Sequence, residues 1–120
     1  MSENNIILEK SFEFSLEIIK LYKILKDNKE YIISKQILRS GTSIGANVNE
    51  SISAQTKKDF ITKMSLASKE ARETKYWLLL LQKSQLIKFD YNIYIDKIEE
   101  IIKILTAIVK TSQQKLIHNS

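Results

Sequence analysis

The sequence contains almost no residues that interrupt a helix. Its 120 residues include no proline and only two glycines, Gly41 and Gly45. Proline and glycine are the residues least compatible with a helix interior, so we expect long helices joined by short turns. Isoleucine is abundant and would also suit strands, so the spacing of the apolar residues has to decide between the two.

The apolar residues recur with the helical period in four segments. They predict helices over approximately residues 3–26, 29–53, 57–86 and 91–114, within one domain that spans 1–120. The first helix has a broad apolar face made of two adjacent stripes. The stripes comprise Leu8, Phe12, Ile19 and Tyr22 in one and Phe14, Ile18, Leu21 and Leu25 in the other. Four helices with short connections pack most simply as an all-α, antiparallel up-down-up-down four-helix bundle.

Polar residues at the expected turns indicate where the helices begin. Asn28 is a candidate cap for the second helix, Thr56 opens a capping box before the third, and Asp90 precedes the fourth. Gly41 and Gly45 fall inside the second helix and share one face. We expect this helix to continue through both glycines and a neighbouring helix to approach closely there, with a kink as the alternative.

The composition excludes several classes of protein. The chain has no cysteine, and therefore no disulfide, no thiolate metal site and no cysteine nucleophile. Its longest apolar run covers residues 76–81, whereas a membrane span needs about 20 apolar residues. The first residues lack the pattern of a signal peptide. We expect a soluble, cytoplasmic protein that does not act at a membrane.

Two patterns that resemble catalytic motifs do not predict an enzyme. Residues 41–45 (GTSIG) match the G-x-S-x-G motif of hydrolases. That chemistry needs a strand–turn–helix context and a general base, but the flanks are helical and the single histidine is His118. Glu70 and Glu73 would need histidine partners to build a di-metal bundle site. The sequence therefore predicts no catalysis, no metal or other cofactor, and no small-molecule substrate.

Positive charge is concentrated in the third helix. The formal net charge of the chain is +5, and residues 56–86 carry +4 of it. With about 100° of rotation per residue, six cations fall within an arc of roughly 120°. These cations, called here the basic surface, are Lys57, Lys58, Lys69, Arg72, Lys75 and Lys83. The surface is interpreted either as a solvated face or as a contact surface for nucleic-acid phosphates. Because all but two of the nineteen cations are lysine, such binding would be weakly sequence-specific.

Two other faces suggest contacts between helices or subunits. On the third helix, Trp77 lies with Leu66 and Leu80 opposite the core stripe, and a homo-oligomer would remove this face from water. On the second helix, a polar row lies away from the apolar stripe. The row consists of Arg39, Ser43, Asn47 and Glu50. We interpret it either as a hydrogen-bond network between helices or as a contact surface for a ligand or subunit.

Several of these residues also carry a resemblance to a known family. The segments concerned are 38–50 (LRSGTSIGANVNE), 59–60 (DF), Ser65, 70–74 (EARET) and 76–78 (YWL). Together they resemble the bacterial four-helix bundle family, also called the 23S ribosomal RNA intervening-sequence protein family. The resemblance covers most of the chain. Many members have proline where this chain has Gly45 and glycine where it has Ser51.

The resemblance implies properties beyond the fold. It implies a cytoplasmic bacterial protein without catalytic activity that forms homopentamers. The accessory protein of diversity-generating retroelements is similar and binds nucleic acid through a basic surface of its pentamer. Carried over to this chain, the family's central motif falls on Arg39, Ser43, Asn47 and Glu50, and its second motif includes Glu70 and Trp77.

Our leading hypothesis from the sequence is a non-enzymatic, oligomeric scaffold that binds RNA or DNA through the basic surface. The alternative is a protein–protein assembly or adaptor module without a nucleic-acid role, in which the lysines only keep the protein in solution.

Overall fold

The protein is a four-helix bundle, as the sequence predicts. The computed structural model describes residues 2–118. The four helices are α1 (Glu3–Asp27), α2 (Ile33–Ile52), α3 (Lys57–Ser84) and α4 (Asn92–His118). Each helix packs against the next in the chain, and α4 closes the bundle against α1. The bundle measures 52 × 25 × 23 Å.

Neighbouring helices run in opposite directions, which confirms the up-down-up-down arrangement. On α2 and α3, Arg39 contacts Glu70 while Glu50 contacts Lys63, so the residue numbers rise on one helix as they fall on the other. The helices α3 and α4 are also antiparallel, since Arg72 contacts Thr106 and Lys75 contacts Glu99. The α1 residue Lys10 lies 2.9 Å from Glu100 of α4.

The turn between α1 and α2 differs from the prediction. Asn28 caps the end of α1 rather than the start of α2, and its side-chain amide donates to the Ile24 carbonyl at 2.8 Å. Lys29 then adopts a left-handed backbone with φ 67°. The helix α2 therefore begins at Ile33, four residues later than expected. Its first N–H groups are satisfied by the Glu30 carboxylate, which is only 7% exposed and accepts from Ser34 N at 2.6 Å.

The other helix ends are closer to expectation. The Thr56 hydroxyl accepts from Asp59 N at 3.0 Å and caps α3, and the Asp90 carboxylate accepts from Asn92 N at 3.0 Å. The helix α3 ends at Ser84 because Gln85 is left-handed, with φ 53°. The helix α4 extends beyond its predicted end at about residue 114. The helix continues to His118, with Lys115 and His118 in its last turn, where positive side chains favour the helix dipole.

The core confirms one of the two apolar stripes predicted for α1 and corrects the other. The buried residues of α1 include Phe14, Ile18, Leu21 and Leu25, as expected. The stripe that contains Phe12 and Ile19 stays largely outside the core: Leu8 packs against it, but Phe12 is 65% exposed and Ile19 is 42% exposed. In a bundle where each helix has two packed neighbours, the buried arc is narrower than the apolar arc of α1. A strip of apolar surface is left outside the core.

The two glycines allow α1 and α2 to lie close together. The helix α2 runs unbroken through both glycines, as expected. A Cβ atom at position 41 would lie 2.9 Å from both Cγ atoms of Ile18, and one at position 45 would lie 3.2 Å from the Ser15 hydroxyl. Distances below about 3 Å are too short for a methyl group, so a larger residue at position 41 would force Ile18 or the two helices to shift.

Candidate nucleic-acid interface

The polar row of α2 faces α3, and its two charged members pair with α3. The Arg39 guanidinium contacts Glu70 at 3.2 Å and Glu73 through its other terminal nitrogen. At the far end of the row, the Glu50 carboxylate lies 2.6 Å from Lys63 Nζ. These two residues therefore form a network between helices, which is the first of the two interpretations of the row.

The two remaining members of the row bond within their own helix. The Ser43 hydroxyl donates to the Arg39 carbonyl at 2.6 Å, and the Asn47 amide donates to the Ser43 carbonyl at 2.9 Å. Both side chains are partly buried. The hydroxyl of the G-x-S-x-G match is thus engaged by helix backbone, and no strand or turn presents it.

Trp77 does not lie in an exposed face, contrary to expectation. Its side chain is half-buried and packs against the core. The indole Nε1 donates to the Glu73 carboxylate at 2.9 Å, which also receives Arg39. Leu66 and Leu80 remain exposed. Arg39, Glu73 and Trp77 therefore form one connected polar network between α2 and α3.

The helix α3 separates its charges between two sides. Glu70 and Glu73 turn toward α2, where both carboxylates contact Arg39. The basic surface lies on other sides of the helix, facing α4 and solvent. Within residues 2–118, its members Lys57, Lys58, Lys69 and Lys83 form no ion pair and are exposed. The surface is therefore not neutralised by the acids of its own helix.

Two members of the basic surface contact α4. The Arg72 guanidinium donates to the Thr106 hydroxyl at 3.2 Å and keeps its full charge. The Lys75 ammonium lies 3.6 Å from the Glu99 carboxylate, which partly neutralises it. Of the six cations predicted from α3, five are therefore without an acidic partner among the described residues.

The structure also places cations of α4 beside this surface. A groove of about 270 Å³ between the helices is lined by Arg72 and Lys110, together with Ser65, Ser68, Thr106, Val109 and Gln113. A second groove of about 270 Å³ is lined by Lys57 and Lys115, together with Asn4, Phe60 and Ser112. We call the two grooves together the α3–α4 seam. The reasoning from one helix missed Lys110 and Lys115, although residues 101–118 contain no acid.

A different surface lies on the opposite side of the bundle. An apolar groove of about 890 Å³ runs between α1 and α2. Its floor and walls include Leu8, Phe12, Leu16, Ile19, Gly45 and Ala46, and its rim includes Glu9 and Glu13. Phe12, Leu16 and Ile19 are 65%, 47% and 42% exposed. We call this surface the α1–α2 groove; it collects the apolar residues that the core leaves out.

Among residues 2–118, no group of three or more His, Cys, Asp or Glu side chains is placed to hold a metal ion. None of the four helices, over the part of the chain that is described, is long and apolar enough to cross a lipid bilayer.

Known proteins resemble this chain in sequence and in structure. Residues 3–107 match the sequence profile of the family described as 23S rRNA-intervening sequence protein. A similar solved structure is that of a protein with unknown function from the S23 ribosomal protein family of Bacteroides thetaiotaomicron. The two chains are 47% identical with a TM-score of 0.86, over 91% of this chain and 99% of that chain. No curated protein matches the sequence.

Proposed function

We propose that this chain, which belongs to the 23S rRNA-intervening sequence protein family, is a non-enzymatic scaffold that self-associates and binds the phosphate backbone of RNA or DNA. The binding surface is the basic surface of α3. A cytoplasmic setting goes with this proposal. The similar solved structure is itself described as having unknown function, so the support for this proposal comes from the residues of this chain.

The separation of charge on α3 is the observation that carries the proposal. The acids Glu70 and Glu73 are held by Arg39 on one side of the helix. Five cations on the other sides have no acidic partner within residues 2–118. An unpaired row of cations on one rigid helix attracts a polyanion, because each phosphate that it contacts releases condensed counterions.

The chemistry of the cations sets the kind of recognition. Four of the five are lysines, which contact phosphates as point charges and do not read bases with a bidentate fork. The single arginine, Arg72, already uses one nitrogen on Thr106. The surface therefore binds backbone of any sequence, which suits a scaffold better than a sequence-specific regulator.

The proposal includes self-association, and the α1–α2 groove is the surface that would support it. Soluble monomers rarely expose large contiguous apolar patches, yet Phe12, Leu16 and Ile19 line one strip of α1. A second copy can bury this strip against its own apolar residues, and Glu9 and Glu13 also line the groove. The homopentamer that the family resemblance implies would carry +25 and multiply weak phosphate contacts.

Charge reversal tests nucleic-acid binding. The variant Lys58→Glu/Lys69→Glu/Arg72→Glu changes the net charge from +5 to −1 and should abolish binding of a labelled oligonucleotide in fluorescence anisotropy. The matched control is Lys23→Glu/Lys26→Glu/Lys35→Glu, which makes the same change of charge on exposed lysines of α1 and α2. The control should retain most of the affinity. Equal loss in both variants would mean that overall charge, and not the basic surface, is responsible.

Light scattering tests self-association. The wild-type chain should be larger than a monomer at micromolar concentration, and Phe12→Lys should dissociate it. Ile93→Lys is the matched control, because Ile93 is 59% exposed on α4 and lies outside the α1–α2 groove. A monomeric wild-type protein, or dissociation by the control alone, would refute this part of the proposal.

The alternative is an adaptor that binds another protein through the α1–α2 groove. The exposed apolar strip is the observation that favours it. Pull-down from a nuclease-treated lysate separates the two functions. A protein that is retained by the wild type and lost with Phe12→Lys, together with no affinity for oligonucleotides, would favour the adaptor.

A further inference from the structure

We infer that α4 supplies the second half of the nucleic-acid site, and that the α3–α4 seam holds backbone phosphates between cations of both helices. Lys110 faces Arg72 across one groove, and Lys115 faces Lys57 across the other. This inference rests on the proposed function and adds to it residues that the basic surface of α3 does not contain.

The first groove offers donors from both of its walls. Arg72 has five N–H donors, and one terminal nitrogen is used by the Thr106 hydroxyl at 3.2 Å. That bond fixes the guanidinium at the groove while its remaining donors can reach a phosphate. Lys110 lies on the opposite wall, and the hydroxyls of Ser65 and Ser68 line the same groove. A phosphate there would meet two positive charges and neutral donors together.

The second groove lies where α3 begins. Lys57 is the first residue of α3, so the positive end of that helix dipole adds to its charge. Lys115 of α4 lines the groove from the other side, and the Asn4 and Ser112 side chains complete it. Between Lys110 and Lys115, α4 rises by about 7.5 Å. The same five residues turn α4 by about 140°, so the two lysines lie on different sides of α4 and each groove holds its own phosphate.

On the α4 side, acids are absent from this end of the seam and present at the other, while on the α3 side Asp59 lies in the first turn, about 200° around the helix from Lys57. In α4 no acid follows Glu100. Further along the seam, the Glu99 carboxylate lies 3.6 Å from Lys75, and Gln82 donates to Asn92 at 3.0 Å. The seam is thus closed by contacts within the chain at one end and open to an anion at the other. Within the seam, the open end contains the first turn of α3 and the last turns of α4.

The test compares two double variants of α4 with the wild type. The variant Lys110→Gln/Lys115→Gln removes the two seam lysines. The control Lys88→Gln/Lys97→Gln makes the same change of charge outside the seam, since Lys97 lines the side of α4 that faces α1 and Lys88 precedes the helix. Circular dichroism of each variant checks that the helices remain. Binding is measured from 50 to 200 mM salt with a single-stranded RNA, a single-stranded DNA and a duplex of one sequence.

Each phosphate contact to a single strand contributes about 0.7 to the slope of log affinity against log salt. Loss of both seam lysines should therefore reduce the slope by about 1.4. Between 50 and 200 mM salt, the fall in affinity should become about sevenfold smaller. The control should keep the wild-type slope. Preference for one of the three oligonucleotides would identify the source of the phosphates, and equal binding would indicate recognition of charge alone.

Two results would overturn the inference, and they are distinguishable. If wild-type binding depends on salt but the two double variants have identical slopes, the seam lysines are not part of the site. The proposed function would then be unaffected. No salt-dependent binding by the wild type would overturn the proposed function and this inference together.

Discussion

The replacement of Gly41 by alanine tests the packing that joins α1 to α2. Gly41 lies in the middle of α2, where alanine would be the better helix former by about 1 kcal/mol. In isolation the substitution should therefore stabilise the helix. In the folded chain the added Cβ would lie 2.9 Å from Cγ1 and from Cγ2 of Ile18, whose side chain is completely buried.

The two contributions have opposite signs. Overpacking of a well-filled core costs typically about 1–3 kcal/mol, against the gain of about 1 kcal/mol in helix propensity. We expect Gly41→Ala to lower the free energy of unfolding by roughly 0–2 kcal/mol after this offset. For a chain of this length, 1 kcal/mol shifts the melting temperature by about 3–6 °C.

A double-mutant cycle isolates the contact with Ile18. The substitution Ile18→Ala removes both Cγ atoms and should cost about 2–5 kcal/mol by itself. In that background the added Cβ loses both 2.9 Å contacts and keeps only the one with the Cβ atom of residue 18 at 3.3 Å, so Gly41→Ala should now stabilise the protein by up to about 1 kcal/mol. Urea unfolding followed by circular dichroism gives the four free energies. The sign of the Gly41→Ala effect is expected to reverse between the two backgrounds.

Gly45→Ala provides the control for this cycle. Its added Cβ would meet the Ser15 hydroxyl at 3.2 Å and the Ser11 carbonyl at 3.3 Å, and neither belongs to Ile18. Its effect should be the same with and without the Ile18 side chain. Stabilisation by Gly41→Ala in the wild-type background, or equal effects of Gly41→Ala in both backgrounds, would refute the close approach of the helices.

Three other changes test the polar contacts of the fold. Arg39→Gln should lower the free energy of unfolding by about 1 kcal/mol, and the emission of Trp77 should shift to the red, because Glu73 loses the partner that holds it against the indole. Glu30→Ala should cost about 1–2 kcal/mol, measured by urea unfolding, because α2 loses its cap; Glu30→Gln should cost less, since one acceptor oxygen remains. Burial raises the pKa of the Tyr91 phenol above its usual 10.0, and the Glu30 carboxylate adds to the shift. The fold therefore favours the protonated phenol, and its stability should be complete below pH 10 and decline as the pH rises further. Tyr91→Phe should reduce that alkaline loss in unfolding measurements made on both sides of pH 10.

The sequence predicted the elements of the fold well, for identifiable reasons. With no proline and two glycines, each segment had one reasonable secondary structure. Thr56 and Asp90 marked helix starts correctly, because a side-chain oxygen next to free N–H groups is a local signal. The α1–α2 turn was different. Lys29 adopts a left-handed conformation without being glycine, and Glu30 caps a helix that begins three residues later.

The sequence was less informative about which faces meet. Helical periodicity shows that Phe12 and Phe14 belong to different stripes of α1, but both stripes are apolar, and the number of packed neighbours decides which is buried. Trp77 was assigned to an exposed face because it lies opposite the core stripe. Its Nε1 instead reaches Glu73 at 2.9 Å in a network that links α3 to α2.

The candidate site was predicted only in part, for the same reason. The cations of α3 can be recognised as one surface from a single helix. The pairing of Lys75 with Glu99 and the approach of Lys110 to Arg72 depend on how α4 packs against α3. Only the absence of acids after Glu100 hinted at a role for α4.

The central claim, that the protein binds nucleic-acid backbone through unpaired cations, is tested most directly by the salt dependence of wild-type binding. With five phosphates contacted, log affinity for a DNA duplex should fall against log salt with a slope of about −4.5, and contacts from α4 would make the slope steeper. A slope close to zero, or no measurable binding at the lowest salt concentration, would contradict the claim.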